Sequence, residues 1–400
     1  MENGEYVNSF FILHVRGVIL SLMADQTFRV VLTGGGSGGH VYPLLAIAET
    51  LRERAAKTGF LIDLTYLGPN DTYTALLKNA GIPVRSVAGG KIRRYLSLQN
   101  ITDIPKFIVG FFQSLWLLYV IMPDVIFSKG GTGAFPVVLA GWFYRIPIVV
   151  HDSDAKPGLT NIASSFFAKK MFISFDAAAK YFDPNRTSRA GVPVRRALLA
   201  NPTTKELAKE TLGFDSAKPL LLILGGSQGA ERINDFILTN LMALIKETQV
   251  LHQVGAANFA EVKQLSDAAL VDAPIANRYE VLAYLDDTNL ALALTAADAA
   301  VSRAGSSALF EFGAFGVPAI LVPHDSGSNG HQRMNAYDFA KNGAATVIEE
   351  PNLFPGIFLS ELKKILSSPE VQQKMSAAAK QFYVPNAADA IVDGIFDAAK

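Results

Sequence analysis

The sequence predicts an α/β protein built from two Rossmann-like domains whose parallel sheets face each other across a cleft. Three observations carry that expectation. Four hundred residues are too many for one hydrophobic core, so two domains are the default. Short apolar, β-branched runs alternate with helix-length segments, the signature of parallel α/β layers. Both halves also open alike, with an apolar strand, a Gly-rich turn and then a helix.

Residues 1–27 read as an N-terminal extension. Its apolar run, 9–23, carries His14 and Arg16 and is short for a membrane span. Two readings stand: a chain start at Met23, or a weak interfacial or signal-like anchor. Residues 28–200 form the first domain, with strands expected at 28–32, 62–67, 84–87, 125–128, 148–151 and 170–173. Helices begin at Val41, near Tyr73, at Leu98 and after Gly133. Residues 107–122 are apolar but interrupted by Gly110, Gln113 and Ser114 and bracketed by Pro105 and Pro123. They read as a core helix with room for one greasy exposed face.

Residues 201–219, rich in Pro, Thr, Lys and Glu, read as a linker. The second domain, 220–385, restarts the rhythm with strands at 220–224, 250–254, 279–283, 299–302, 319–322 and 345–348. Residues 386–400 are expected to form a last helix that packs back on the first domain.

Lys plus Arg and Asp plus Glu number 36 each, so no global field draws the chain toward nucleic acid. With no Cys there is no disulfide, Fe–S cluster or thiolate zinc site, which fits a reducing compartment.

The chemistry concentrates in three turns. The first is Thr33-Gly34-Gly35-Gly36-Ser37-Gly38-Gly39-His40, the second Lys129-Gly130-Gly131-Thr132-Gly133, and the third Gly225-Gly226-Ser227-Gln228-Gly229-Ala230. A Gly-rich turn between strand and helix lets backbone N–H groups approach a phosphate, and the helix dipole favours its charge. One such turn is weak evidence, but three in two domains suggest two phosphorylated ligands. Nucleotide hydrolysis fits poorly, because no Lys-Ser/Thr pair follows Gly39. A dinucleotide oxidoreductase also fits poorly, because Asp63 lies too far along the chain for the ribose acid.

The run from Thr33 through His40, Val41, Tyr42 and Pro43 closely resembles the opening of the MurG family of glycosyltransferases. So do Gly225 to Ala230, Ser302-Arg303-Ala304-Gly305-Ser306-Ser307-Ala308-Leu309-Phe310-Glu311, Gly316-Val317-Pro318, and His331-Gln332 with Asn335-Ala336. Gly191-Val192-Pro193-Val194-Arg195 matches a Gly-Asn-Pro-Val-Arg motif apart from Val192. The resemblance runs from about residue 28 to 350 in the family's order. It implies the GT-B arrangement, no cofactor and no bound metal. It also implies inverting transfer of N-acetylglucosamine from UDP-N-acetylglucosamine to lipid I, the undecaprenyl-diphosphate-linked muramoyl-pentapeptide, giving lipid II for peptidoglycan. Two rivals stay open: another GT-B UDP-sugar transferase, such as a glycolipid synthase, and a non-catalytic nucleotide-sugar binder.

The resemblance places the donor mainly on the second domain. Ser306, Ser307, Ala308 and Leu309 follow a strand and open a helix, so their N–H groups are placed to hold a diphosphate. Glu311, one turn on, suits the ribose hydroxyls. Leu285 matches the position whose backbone meets the uracil, and Gln332 the sugar hydroxyls; His331 and Asn335 are lesser candidates, and Asn335 alternatively ties down its loop. Ser227 caps a helix, contacts phosphate, or both. Arg195 and Arg303 suit phosphates, with a structural ion pair the alternative for Arg303. Ser37, Gly38 and Gly39 join the donor set. Asp286-Asp287 reads as a helix N-cap and first-turn acid rather than a metal site.

For the acceptor the resemblance implies Gly36, Ser37, Gly38, Gly39, Gly130, Gly131, Thr132 and Asn161. His40 is the first candidate base, since a helix N-terminus keeps its imidazole neutral; the alternative is that it only orders the loop. Asp152 is the second, in His151-Asp152-Ser153-Asp154, where the family has His-Glu-x-Asn. Asp154, counted with the donor contacts, thus lacks an amide donor, and Thr132 stands where some relatives have Tyr. A lipid-linked acceptor implies contact with an anionic membrane surface at the cytoplasmic face. Lys91, Arg93, Arg94 and Tyr95 beside the apolar 107–118 segment suit that role, with a buried helix and a solvated charged turn as the alternative.

Overall fold

The computed structural model describes residues 27–36, 38–89, 98–131, 133–226, 229–324 and 330–400. The expectations for 9–23, Ser37, Lys91, Arg93, Arg94, Tyr95, Thr132, Ser227 and Gln228 lie outside the described residues.

The first sheet has seven strands: β1 (Thr27–Thr33), β2 (Leu61–Gly68), β3 (Val84–Ser86), β4 (Val125–Ser128), β5 (Ile148–Asp152), β6 (Lys170–Ile173) and β7 (Thr187–Arg189). Their order is β3-β2-β1-β4-β5-β6-β7. The second sheet has six: β8 (Leu220–Leu224), β9 (Gln249–Gln253), β10 (Tyr279–Leu282), β11 (Ala299–Ser302), β12 (Ala319–Leu321) and β13 (Ala345–Val347), in the order β10-β9-β8-β11-β12-β13. Every pairing is parallel. Helices cover both faces of such sheets, so central strands are apolar throughout, and β4, β5 and β8 are buried at every residue.

In each sheet the strand order reverses beside the first strand, between β1 and β4 and between β8 and β11. Loops leaving the carboxyl ends there diverge and open a crevice. The Gly-rich turns leave β1, β4 and β8 at those points, with Thr33 level with Ser128 and Leu224 level with Ser302.

The halves are joined by more than a linker. Phe175 of the first packs against Phe310 and Phe382 of the second, at 5.7 and 5.4 Å between ring centres. The chain then crosses back: helix Ala387–Ala399 buries Ile391, Val392 and Ile395 with Val30, Leu32, Phe127 and Phe172 of the first domain.

Two features go beyond expectation. β7 was not anticipated, because Thr187-Ser188-Arg189 is a polar edge strand with no apolar signal. The 107–122 segment, read as a core helix with room for one greasy exposed face, has that face and is exposed over most of its apolar surface. Helix Leu98–Ile121 lies on the surface, with Phe112 and Trp116 63% and 66% exposed. It packs inward through Gly110, Ser114 and Leu118, spaced four apart, while Gln113 accepts the Ala88 N–H at 2.8 Å. Small residues let the backbone approach Ala88, where a side chain at 110 would strike its carbonyl, and the large apolar residues face out.

Candidate active site

The first Gly-rich turn opens helix Gly38–Thr58, whose first turn carries His40. Gly35 O, which only accepts, takes a hydrogen bond from His40 Nδ1 at 2.8 Å. The ring is therefore the Nδ1–H tautomer, with Nε2 its basic nitrogen. Burial holds the imidazole down to about 4, with the nearby charge of Lys129 the next cause. Both causes favour a neutral ring at physiological pH. Tyr66 Oη donates to Gly34 O at 2.6 Å. The Gly36 N–H donates to Asp71 Oδ2 at 2.8 Å. The Gly36 N–H, expected at the acceptor, is thus engaged by a carboxylate here.

The turn after β4 interlocks with the first. Gly131 has φ of +85°, and a side chain there would meet Gly35 O and stand 2.8 Å from His40 Nδ1. A side chain at Gly130 would collide with Asn161. Asn161 Nδ2 donates to Asp152 Oδ2 at 2.7 Å. Asp152 is 2% exposed, and its other oxygen accepts the Asp154 N–H at 2.9 Å. Burial, then the neighbouring Asp154, pushes its carboxyl up to about 6. With both oxygens engaged, Asp152 is less accessible to a hydroxyl than His40.

Asp154 faces the other domain. Its Oδ1 accepts from Asn335 Nδ2 at 2.9 Å, and His331 Nδ1 donates to its Oδ2 at 3.3 Å. Burial raises its pKa, but His331 and Asn335 outweigh it and hold the carboxylate below its ordinary range. Asn335 Oδ1 accepts the Ala155 N–H at 2.7 Å, so this residue ties the domains together besides ordering its loop. Tyr42 and Tyr284 join hydroxyls across the domains at 3.1 Å.

On the second domain, helix Ser306–Phe315 starts after Gly305. Ser306, Ser307 and Ala308 occupy its first turn, where N–H groups have no partner within the helix. The Leu309 N–H donates to Gly305 O at 3.2 Å, and its side chain is wholly buried in the core. Glu311, one turn on, is bonded to Arg195 at 3.3 Å. Burial pushes the Glu311 pKa up, and Arg195 opposes it. Arg195 also pairs with Asp287 and lies 4.5 Å over the Tyr42 ring. Asp286 caps its helix through the Asn289 N–H at 2.8 Å, and the buried Leu285 precedes it.

Arg303 forms an ion pair with the buried Glu350, the structural alternative of its two readings. Gln332 Oε1 accepts the His324 N–H at 3.0 Å. Among the described residues no group of His, Asp and Glu suits a metal ion.

Among the described residues, buried polar atoms without a hydrogen-bond partner include Thr33 Oγ1, Lys129 Nζ, His151 Nδ1, Asn161 Oδ1, Arg195 Nε and Ser307 Oγ. Native interiors leave few such atoms, and a bound ligand is one way to pair them. Sequence reasoning missed Lys129, Asp71, Tyr66 and the Tyr42–Tyr284 pair. Only Lys129 carried a signal, a cation directly before a Gly-rich turn.

Two family models match this chain: the glycosyltransferase family 28 N-terminal domain over residues 30–173 and the C-terminal domain over 220–391. A Legionella pneumophila (strain Lens) protein named UDP-N-acetylglucosamine--N-acetylmuramyl-(pentapeptide) pyrophosphoryl-undecaprenol N-acetylglucosamine transferase is 38% identical, over 87% of this chain and 92% of its own length. A Bacillus cereus protein of the same name, numbered 2, is 34% identical over 92% and 99%. Among solved structures, Acinetobacter baumannii MurG superposes with a TM-score of 0.71 at 26% identity, covering 92% of this chain and 99% of that one. A Neisseria meningitidis UDP-GlcNAc 2-epimerase bound to UDP-GlcNAc, 13% identical with a TM-score of 0.64, shares the fold.

Proposed function

The chain belongs to glycosyltransferase family 28, and we propose that it transfers N-acetylglucosamine from UDP-N-acetylglucosamine to the muramoyl C4 hydroxyl of lipid I, forming lipid II. The observation that carries the reading is His40, half-buried at the start of its helix and held by Gly35 O where loops of the two domains meet.

The donor diphosphate sits at the N-terminus of helix Ser306–Phe315, where unpaired N–H groups and the helix dipole stabilise the departing charge. Glu311 accepts from the ribose hydroxyls. The acceptor hydroxyl attacks the anomeric carbon from the face opposite UDP. The new C–O bond forms as the bond to the diphosphate oxygen breaks, and the hydroxyl proton passes to His40 Nε2. A base that binds its proton weakly suffices, because the hydroxyl becomes strongly acidic as its oxygen bonds to carbon. UDP carries away the electron pair, and the configuration inverts. Asp152 supports this from below by holding Asn161, which abuts the Gly130 turn.

A donor panel with a short-chain lipid I analogue tests the reading. Turnover with UDP-N-acetylglucosamine and little with UDP-glucose or UDP-galactose is expected; no turnover with the first discards it.

The same reading places the protein on the cytoplasmic membrane face, docked through the exposed side of helix Leu98–Ile121. The stretch Asp103–Ile121 is long and apolar enough to cross a membrane by length and composition. Its inner side packs on the first domain, so it lies along the surface. Phe112, Trp116 and Tyr119 share its outer side with Trp142, Phe143 and Phe166 nearby in the first domain, all well exposed. Aromatic rings suit the bilayer interface, and a lipid-linked acceptor must be met there. Co-sedimentation with anionic phospholipid vesicles should fall at least about fivefold in a Phe112→Ser, Trp116→Ser double variant. Unchanged vesicle binding by that variant removes this face from the proposal.

A further inference from the structure

Lys129 directly follows β4, beside the first Gly-rich turn. Its N–H donates to Thr33 O at 2.8 Å, and its Cβ stands 3.2 Å from where a side chain at Gly34 would begin. The side chain is 0% exposed, and Nζ has no hydrogen-bond partner among the described residues. β4 is the middle strand of three: β1 leads into the turn holding His40, and β5 ends in Asp152. An unpartnered ammonium in an interior is costly unless charge nearby compensates it. Here the compensating groups are the carboxylates of Asp152 and Asp154.

We propose that Lys129 is a positioning residue for transfer: its fixed positive charge keeps His40 a neutral imidazole and Asp152 ionised while a substrate diphosphate binds beside them. The proposal rests on the reading of His40 as the base. A diphosphate on the adjoining turns pulls His40 toward imidazolium, which accepts no proton; an ammonium beside the turn opposes that pull. The surrounding charges fit. Lys129 lowers His40, the buried His151 is held well below its usual range, Asp154 acts on His40 in the opposite sense, and His331 of the second domain adds to Lys129. Burial brings Lys129 itself down to about 8, so at neutral pH it is mainly charged.

The test is the pH dependence of kcat/KM in Lys129→Met, read beside an NMR titration of His40, one of six histidines. The acid limb and the His40 titration should both move up by about one pH unit or more, since a removed cation lets the ring protonate more easily. Lys129→Arg should keep the wild-type profile. Asp154→Asn, which removes the opposing charge, should move both readouts down, and the Lys129→Met, Asp154→Asn pair should fall between the single variants. A purely structural lysine would lower stability and kcat at every pH and leave the limb in place; that outcome overturns the proposal. If Lys129→Met fails to fold, an Asp154→Asn profile that does not move overturns it instead. The NMR arm needs no substrate, so absence of turnover would discard the transfer reading while leaving the electrostatic claim to stand or fall by itself.

Discussion

The turns of the two domains look alike in sequence but are built differently. In the first domain the protein itself fills the space around the glycines. A side chain at Gly131 would strike Gly35 O and His40, and one at Gly130 would strike Asn161. In the second, the 225–230 turn is packed in part, since a side chain at Gly229 would strike Asn258, but Gly305 has nothing within 4 Å among the described residues, and its φ of −63° is one that any residue adopts. The first set of turns is therefore a finished part of the fold, held by Tyr66, Asp71 and Asn161. The start of helix Ser306–Phe315 is more open. Under the proposed function, the acceptor side arrives with its candidate base already oriented, whereas the donor side is completed by the nucleotide.

The largest expected effect comes from the finished side. His40→Ala should lower kcat by about 10³-fold while UDP affinity stays within twofold of wild type, about the scale of a lost general base. A parallel loss of UDP binding would break the division of labour between the domains. Gly131→Ala should destabilise the protein by about 3 kcal/mol, through left-handed strain and overpacking against His40, as read from denaturant unfolding. An unchanged midpoint would show that the turn is not preformed.

On the open side, Gly305→Ala should leave that midpoint unmoved and weaken UDP binding roughly tenfold, because the added methyl enters space meant for the diphosphate. Glu311→Gln should cost about tenfold in UDP affinity and nothing with 2′,3′-dideoxy-UDP, which lacks both hydroxyls. Equal losses with both nucleotides would remove Glu311 from the ribose.

The smallest effect is shared by both domains. His40, at about 4, and His252, at about 3, are buried neutral in the first and second domains. Their folded pKa values lie below the unfolded value, so their stabilisation is present above pH 6.5 and lost as pH falls toward 4 and 3. Asp152 opposes this: raised to about 6, it favours the fold below its unfolded pKa, and that contribution is lost as pH rises through 6. The histidines outnumber it, so Tm should fall by about 5 °C between pH 7.5 and 5.

Much of this arrangement was legible beforehand. The apolar runs marked β1 to β6 and β8 to β13, because parallel strands buried on both faces cannot hide their composition. β7 was illegible because an edge strand needs no apolar residue. Helix Leu98–Ile121 was only partly legible because an apolar window does not say which side faces in; Gly110 and Ser114, taken as interruptions, are the packing side. Arg303 admitted two roles until Glu350 was found beside it. Lys129 looked like any turn lysine, since burial of a charge leaves no mark on its neighbours in sequence.

By itself, the sequence determined the two-domain α/β class and where the Gly-rich strand-to-helix turns fall. Those requirements are local: a run of β-branched residues, a glycine where φ must be positive, a helix that starts just beyond. Only the tertiary structure decided which groups face one another. Asp154 meets Asn335 from 181 residues away, and Arg195 meets Glu311 from 116. Such pairings, and the charge and hydration they impose on His40, follow from how two sheets pack. No window of sequence contains that, because desolvation and Coulomb forces act through space and take no account of chain order.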